Sequence, residues 1–312
     1  MEQIKTFLII DLETTGLPHK EYNRTKITEM CLLAASRKDI RNAAFGELPP
    51  ICKLSFMLNP EKTITPDSAR ITGITNEHVK YAPTFKEKFH TVNSFIKDLK
   101  KPVCFVAHNG NTFDYRILLA ECADAKVMLP DDLLCVDSLA IFRKISKAKN
   151  NKSSDSVDKP MNTDKSMNST FLSDIMTDDE DAWPEMNVTP ENFQEIDELC
   201  SSFYNLSPSQ NMPRKKVNKS ITKVKSSGKL RESFKLTEIY TRYFGGTEGK
   251  TAHRAEDDCL MLLQCMVAAQ SKETSDDFLL LCDQNCKLLL DCKPLERKTN
   301  LEAKRYNKNP LH

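Results

Sequence analysis

TFLIIDLETTGLP, residues 6–18, gives the clearest indication of the fold class. Its first five residues, 6–10, are mostly apolar and rich in isoleucine, and they run through two acids into a Thr-Thr-Gly-Leu-Pro turn. This pattern predicts a buried strand that ends in a turn. Because side chains alternate along a strand, Asp11 and Glu13 are expected on the same side of the sheet.

The segments that follow this strand predict an α/β fold. The order is β-rich first and then alternates between strands and helices, which favours a mixed central β-sheet flanked by α-helices. Further strands are predicted at residues 27–36, 51–58, 103–107 and 133–136, and helices at residues 85–99, 113–123, 137–146, 255–269 and 278–290. Order is also expected at residues 234–244, without an assigned element.

Composition limits the classes of function. The 45 basic and 44 acidic residues nearly cancel, so the chain lacks the overall positive charge of an extended nucleic-acid binder, and any phosphate affinity must be local or metal-borne. The eleven cysteines lie mostly in apolar runs without a C-x-x-C pair, which predicts reduced core thiols and argues against zinc. We expect a soluble protein of the cytosol or nucleus, with no membrane anchor, because no apolar run reaches membrane-spanning length.

Residues 148–230 interrupt the pattern. They are rich in Ser, Asn, Asp and Lys and show no sustained period, so we expect a largely disordered, charged insert. Its charge is segregated, with ten acids in residues 171–198 and seven basic residues in residues 214–229. The predicted organisation is one discontinuous domain of residues 1–147 and 231–292, interrupted by the insert and followed by a basic flexible tail at 293–312.

Acids also occur at two later points of the chain. Asp114 follows the predicted strand at 103–107 and a polar turn, where an acid also suits a helix start without any further function. His108 and Asn109 in that turn are equally compatible with a strand cap and with a substrate role. His253 precedes a predicted helix in which Asp258 lies early, so the two could converge on one water molecule.

Taken singly, each of these patterns is common in proteins without a catalytic site. Asp11 and Glu13, however, would repel each other unless a cation lay between them, and Mg²⁺ and Mn²⁺ prefer such oxygen ligands. Together the three patterns resemble the DnaQ-like (DEDDh) exonucleases, a superfamily with a ribonuclease H-like fold. Its D-x-E, mid-chain Asp and H-x-A-x-x-D motifs match Asp11, Glu13, Asp114, His253, Ala255 and Asp258.

The resemblance narrows to one subfamily. The stretches I-D-L-E-T-T-G-L-P, S-A-R-I-T-G-I, V-A-H-N-G-N-T-F-D, C-V-D-S and L-T-E-I-Y-T-R-Y-F-G resemble the three-prime repair exonucleases. This implies a 3′-5′ DNA exonuclease that prefers single-stranded DNA or frayed 3′ ends and releases nucleoside 5′-monophosphates. It also implies two Mg²⁺ or Mn²⁺ ions per site, held by Asp11, Glu13, Asp114 and Asp258, with His253 as the general base.

Substrate contacts and assembly are further implications of the resemblance. Leu17, Pro18, Ile71 and Phe113 would contact the terminal bases, to which their apolar or aromatic character is suited. The alternatives are ordinary core for Ile71 and a simple turn for Leu17 and Pro18. Asp137 fits a helix cap better than a catalytic acid. A homodimer is expected through the edge strand at residues 51–58.

Two other functions remain open. A relative that acts on RNA 3′ ends would use the same catalytic residues. An inactive member could instead serve as an adaptor through its charged insert, although the presence of all five catalytic residue types argues against this.

Overall fold

A mixed six-stranded sheet organises the residues that the computed structural model describes, which are 3–154, 232–247, 252–270 and 277–298. The strands are β1 (Thr6–Thr14), β2 (Ile27–Ser36), β3 (Cys52–Met57), β4 (Val103–Ala107), β5 (Leu134–Asp137) and β6 (Lys287–Leu288). Their order across the sheet is β3-β2-β1-β4-β5-β6. β4 is parallel to both β1 and β5, whereas the other neighbouring pairs are antiparallel. The predicted mixed sheet is confirmed.

Helices cover both faces of this sheet. They are α1 (Arg37–Asn42), α2 (Pro66–Thr72), α3 (Asn76–Val79), α4 (Phe85–Lys97), α5 (Asp114–Ala125), α6 (Ser138–Ser154), α7 (Leu236–Phe244), α8 (Ala255–Ala268) and α9 (Phe278–Asn285). Alternation along β1 sends Phe7 and Ile9 into a core with α6 to α9, and Leu8 and Ile10 into a second core with α4 and α5. None of the helices in the described ranges is long and apolar enough to cross a membrane.

Several boundaries differ from the predicted ones for tertiary reasons. β1 continues to Thr14 because β2 pairs with it along its whole length, so Asp11 and Glu13 lie inside the strand. The helix predicted at 278–290 ends at Asn285, and the chain then pairs with β5. Leu279 belongs to one core and Leu289 to the other, and the chain passes the edge of the sheet between them.

The segment predicted as a flexible tail also differs over residues 293–298. Leu295 is buried, and its N–H donates to the carbonyl of Arg116. Arg297 donates from Nη1 to the carbonyls of Asn23, at 3.0 Å, and Thr25, at 2.5 Å. We call residues 293–298 the C-terminal strap. Residues 299–312 and residues 155–230 of the predicted insert lie outside the described residues. The first residues of that insert, 148–154, were predicted as disordered but are the end of α6, which continues beyond the predicted helix at 137–146.

Candidate active site

Three carboxylates converge where α8 lies against β1 and β2. Asp11 and Glu13 are on the same face of β1 as Phe7 and Ile9, which is the face that α8 covers. Asp258 is in the first turn of that helix. One carboxylate oxygen from each of Asp11, Glu13 and Asp258 lies within 4.8 Å of the others. We call these three residues the carboxylate cluster.

The electrostatics of the carboxylate cluster favour a cation. Burial, and then the charge of Asp258, raise the pKa of Asp11 and of Glu13 well above their ordinary values. Burial, with a smaller contribution from Asp257, raises the pKa of Asp258 to about 7. The ionised forms are therefore disfavoured until positive charge is supplied. Because the donors are all carboxylate oxygens, the cluster fits a hard divalent metal ion.

Asp114 lies next to the carboxylate cluster without being one of its three members. It is the first residue of α5, is 3% exposed, and accepts a hydrogen bond from the backbone N–H of Leu12. That donor is available because the ladder between β1 and β4 ends at Ile9 and Val106. Burial raises the pKa of Asp114 to about 8, and the charges of Asp137 and Asp258 also raise it. Asp114 is thus electrostatically coupled to Asp258.

The turn between β4 and α5 is held by Asp137. Its carboxylate accepts the N–H groups of Asn109, at 2.9 Å, and Asn111, at 3.1 Å. It also accepts the N–H of Leu139, at 3.0 Å, as expected of a residue that caps α6. Gly110 is required in this turn, because a Cβ there would lie 2.6 Å from that of Ala107. Asp137 therefore fixes the turn that leads to Phe113 and Asp114.

The side chain of His108 holds neighbouring segments of the chain together. Its Nδ1 lies 2.9 Å from Ser138 Oγ and its Nε2 lies 2.9 Å from the carbonyl oxygen of Phe234. Burial lowers its pKa to about 4. Both ring nitrogens are engaged within the chain, so the cap interpretation fits His108 better than a substrate role.

His253 precedes α8, as its spacing from Asp258 predicted. Its backbone has a φ of +64°, a left-handed conformation that is uncommon outside glycine. Its N–H donates to Asp258 Oδ2 at 3.2 Å. Burial lowers the pKa of the imidazole, which favours the neutral ring at pH 7. His253 and Asp258 are thereby brought together at one end of the helix.

Sequence reasoning missed Glu29 and Arg254. Glu29 Oε1 accepts from Arg254 Nη2 at 2.6 Å, and Glu29 Oε2 accepts from Arg254 Nε and from the N–H of Ala255, both at 3.1 Å. Glu29 is only 4% exposed and lies opposite Glu13 in the β1–β2 register. One signal could have found it, since it is the only charged residue in the strand ITEMCLLAAS.

The predicted base-contacting residues lie on three separate elements. Leu17 and Pro18 follow β1, Ile71 is in α2, and Phe113 precedes α5. Because β1 and β4 are parallel neighbours, the turns after them leave the same end of the sheet. The N–H of Thr65 donates to the carbonyl of Thr15 at 2.8 Å, and Ser68 Oγ donates to that of Thr14, which ties α2 to this end.

All four residues are partly exposed. We call Leu17, Pro18, Ile71 and Phe113 the apolar contact set. Partial exposure of Ile71 does not fit an ordinary core residue. Phe113 packs partly against the core of α4 and α5. The apolar contact set is therefore accessible from solvent, and Phe113 is at the same time packed against the core.

Comparison with known proteins identifies the family. A family profile described as "Exonuclease" matches residues 8–169, slightly more than half of the chain. The chain therefore belongs to the exonuclease family. The matched region contains Asp11, Glu13 and Asp114, and it ends before His253 and Asp258.

The chain is also similar to individual proteins. The chain is 34% identical over 155 residues to human three prime repair exonuclease 2, covering 46% of this chain and 64% of that protein. It is 29% identical over 158 residues to human three-prime repair exonuclease 1, covering 46% of this chain and 49% of that protein. The match thus spans less than two thirds of the length of either relative. Exonuclease I of E. coli, solved with a dT13 oligonucleotide, aligns with a TM-score of 0.48 at 15% identity, over 86% of this chain and 42% of that one.

Proposed function

We propose that this chain is a metal-dependent 3′-5′ exodeoxyribonuclease that releases nucleoside 5′-monophosphates from DNA. The observation that carries the proposal is the convergence of Asp11, Glu13 and Asp258, with one oxygen of each within 4.8 Å of the others. Such a site supplies locally the positive charge that a chain of net charge +1 lacks overall. The names of the relatives as three-prime repair exonucleases support DNA and its 3′ end as the substrate.

Four acids would hold the metal in this proposal. Asp11, Glu13, Asp114 and Asp258 would bind two Mg²⁺ or Mn²⁺ ions, for which oxygen ligands are suited. When bound, such ions stabilise the charge that develops on the attacking and leaving oxygens of an in-line displacement.

His253 supplies the general base in this proposal. A neutral imidazole can accept a proton from the attacking water. Burial lowers the pKa of His253, so its ring stays neutral at lower pH than that of an exposed histidine. The hydrogen bond from the His253 N–H to Asp258 keeps the base beside one of the proposed metal ligands.

The apolar contact set would bind the terminal bases. Apolar and aromatic side chains stack on unpaired bases of any sequence, so single-stranded DNA and frayed 3′ ends are the preferred substrates. A paired end must first be opened, which costs a few kcal/mol per nucleotide and slows blunt duplexes. Stacking is indifferent to the sugar, so the preference for DNA over RNA rests on the relatives alone.

We also propose a homodimer that pairs through β3. This strand is at one edge of the sheet, where the unpaired side of a strand can bind another copy of itself. Light scattering at micromolar concentration should report twice the mass of the chain. A monomer would contradict this part of the proposal.

One experiment tests the proposed function. The purified full-length chain is incubated with 5′-labelled single-stranded DNA and RNA of matched sequence, in Mg²⁺, in Mn²⁺ and in EDTA. Stepwise shortening of DNA from its 3′ end, with release of 5′-monophosphates and complete inhibition by EDTA, is expected. Faster degradation of RNA would instead favour the exoribonuclease, and inactivity on both polymers would favour the adaptor. Asp11→Asn is the control for a contaminating nuclease.

A further inference from the structure

The backbone around His253 is held from outside its own segment. The first N–H groups of a helix have no partners within it, and the side chain of Arg254, the residue before α8, does not cap them. The carboxylate of Glu29, which reaches across from β2, accepts the N–H of Ala255 at 3.1 Å instead. A residue 226 positions away in sequence therefore caps this helix.

The same carboxylate also binds Arg254. The guanidinium donates from Nε and Nη2 to the two oxygens of Glu29, a bidentate arrangement that fixes orientation as well as distance. The side chain of Glu29 is 5% exposed and that of Arg254 is 39% exposed. Glu29 thus holds the two residues that follow His253, while Asp258 accepts the N–H of His253 itself.

The contacts of Glu29 with Arg254 and Ala255 are the favourable interactions that this buried carboxylate makes, because its charge is otherwise unfavourable where it lies. It lies directly opposite Glu13, and its negative charge raises the pKa of Glu13, so it adds to the repulsion within the site. An apolar residue in this buried strand would avoid that cost. What an apolar residue could not do is cap Ala255 and orient Arg254.

We propose that Glu29 and Arg254 are positioning residues for His253. They fix the backbone of His253, from which the imidazole projects. That backbone has a left-handed conformation, which a residue without such contacts would not keep. Because His253 acts as a base only in the nuclease proposed above, this inference rests on that function. Arg254 could otherwise contact a substrate phosphate directly, and the two roles predict different kinetics.

The test uses the full-length chain with Arg254→Met, which retains the length of the side chain and removes the guanidinium. Misplacement of the base should lower kcat on single-stranded DNA about 10-fold or more, because even a 1 Å shift can cost about 100-fold, and should leave KM nearly unchanged. Arg254→Lys should restore part of the rate. Arg41→Met is the matched control, because Arg41 makes the same kind of bidentate contact, at 2.7 and 2.9 Å, with Asp277, the residue that caps α9.

The decisive comparison is made in a His253→Ala background. If Arg254 acts through His253, adding Arg254→Met to His253→Ala should cause no further loss of kcat, since coupled residues are non-additive. An equal loss in both backgrounds, or a rise in KM with kcat preserved, would overturn the inference. An equal loss in Arg41→Met would show that breaking any such helix-capping pair suffices, and would also overturn it.

A readout that needs no activity separates this inference from the proposed function. In the protein labelled with ¹³C-histidine, the ring resonance of His253 should shift or broaden in both Arg254→Met and Glu29→Gln, while that of His108 stays in place. Glu29→Gln retains an acceptor for Ala255, so it provides a second variant if Arg254→Met does not fold. An unchanged His253 resonance refutes the inference, whereas an inactive wild-type chain refutes only the proposed nuclease.

Discussion

The carboxylate cluster and the apolar contact set lie toward the same end of the sheet, but they affect the stability of the metal-free fold differently. The three acids are held against each other, and each has a raised pKa, so they lower the stability of the metal-free fold. Leu17, Pro18, Ile71 and Phe113 are partly exposed and bring no like charges together. The acids are therefore hard to explain without a cation, whereas only binding measurements with a substrate can distinguish the apolar residues from ordinary surface.

The largest effect is expected from the carboxylate cluster. Asp11→Ala or Asp258→Ala should reduce turnover about 1,000-fold or more, because losing a metal ligand removes several kcal/mol of transition-state stabilisation. Circular dichroism should show an intact fold. Asp257→Ala, in the same turn of the helix but outside the cluster, is the matched control. Single-turnover hydrolysis at nearly the wild-type rate in Asp258→Ala would contradict the assignment of that residue.

His253→Ala should have the next largest effect, lowering kcat about 100- to 10,000-fold, the usual contribution of a general base. Binding of metal and DNA should be preserved. In the wild type, the rate should fall as the pH decreases through the pKa of His253, which burial lowers from its ordinary value, because only the neutral ring accepts a proton. His90→Ala, an exposed histidine of α4, is the control. Parallel loss of binding and rate would make His253 structural.

A change in the apolar contact set should affect binding more than chemistry. Phe113→Ala should weaken the affinity for single-stranded DNA about 5- to 150-fold, since stacking on one base contributes about 1–3 kcal/mol. Fluorescence anisotropy in Ca²⁺ would measure this without turnover. Phe45→Ala, which alters a phenylalanine that is 64% exposed, should leave affinity unchanged. If Phe113→Ala and Phe45→Ala bind single-stranded DNA with the same affinity, Phe113 is an ordinary surface residue and the apolar contact set has no role in substrate binding at that position.

The smallest effect is a difference in thermal stability. In EDTA, Asp258→Asn should melt a few degrees above the wild type at pH 8 and only slightly above it at pH 5. The pKa of Asp258 is raised from 3.8 to about 7, so between about pH 4 and pH 7 the unfolded chain ionises this carboxyl while the folded wild type keeps it protonated. The folded state loses stability across that window and has lost this contribution in full above it. Added Mg²⁺ should stabilise the wild type more than the variant. A difference that stays constant with pH would contradict this account of the cluster.

The sequence predicted those parts of the molecule that depend on local pattern. The apolar run at 6–10 located β1, and the two-residue spacing placed Asp11 and Glu13 on one face of it. The contact between Leu12 and Asp114 could not be predicted, because it depends on where the ladder between β1 and β4 ends. Glu29 and Arg254 are 225 residues apart, so no local period relates them.

His253 and Asp258 were related to the other site residues by the spacing of a sequence motif and not by the periodicity of a strand or helix. His253 and Asp258 are separated from Asp114 by the predicted insert, and the family profile ends at residue 169, before both of them. Their shared motif, rather than any local structural pattern, was what related them to Asp11. Their roles remain predictions for the variants above to test, although α8 does bring Asp258 to Asp11 and Glu13.

The C-terminal strap has a consequence for biosynthesis. Arg297 binds the carbonyls of Asn23 and Thr25, in the loop that contains Leu17 and Pro18, across 274 and 272 residues of sequence. A chain that grows from its N-terminus forms β1 and β2 early, but this loop can acquire these two contacts only after residue 297 has left the ribosome. Asp258 and Arg254 are also translated late. A nascent chain therefore carries Asp11 and Glu13 long before it can assemble the whole site, so any nuclease activity requires synthesis past Asp258 and is not expected of shorter ribosome-bound fragments.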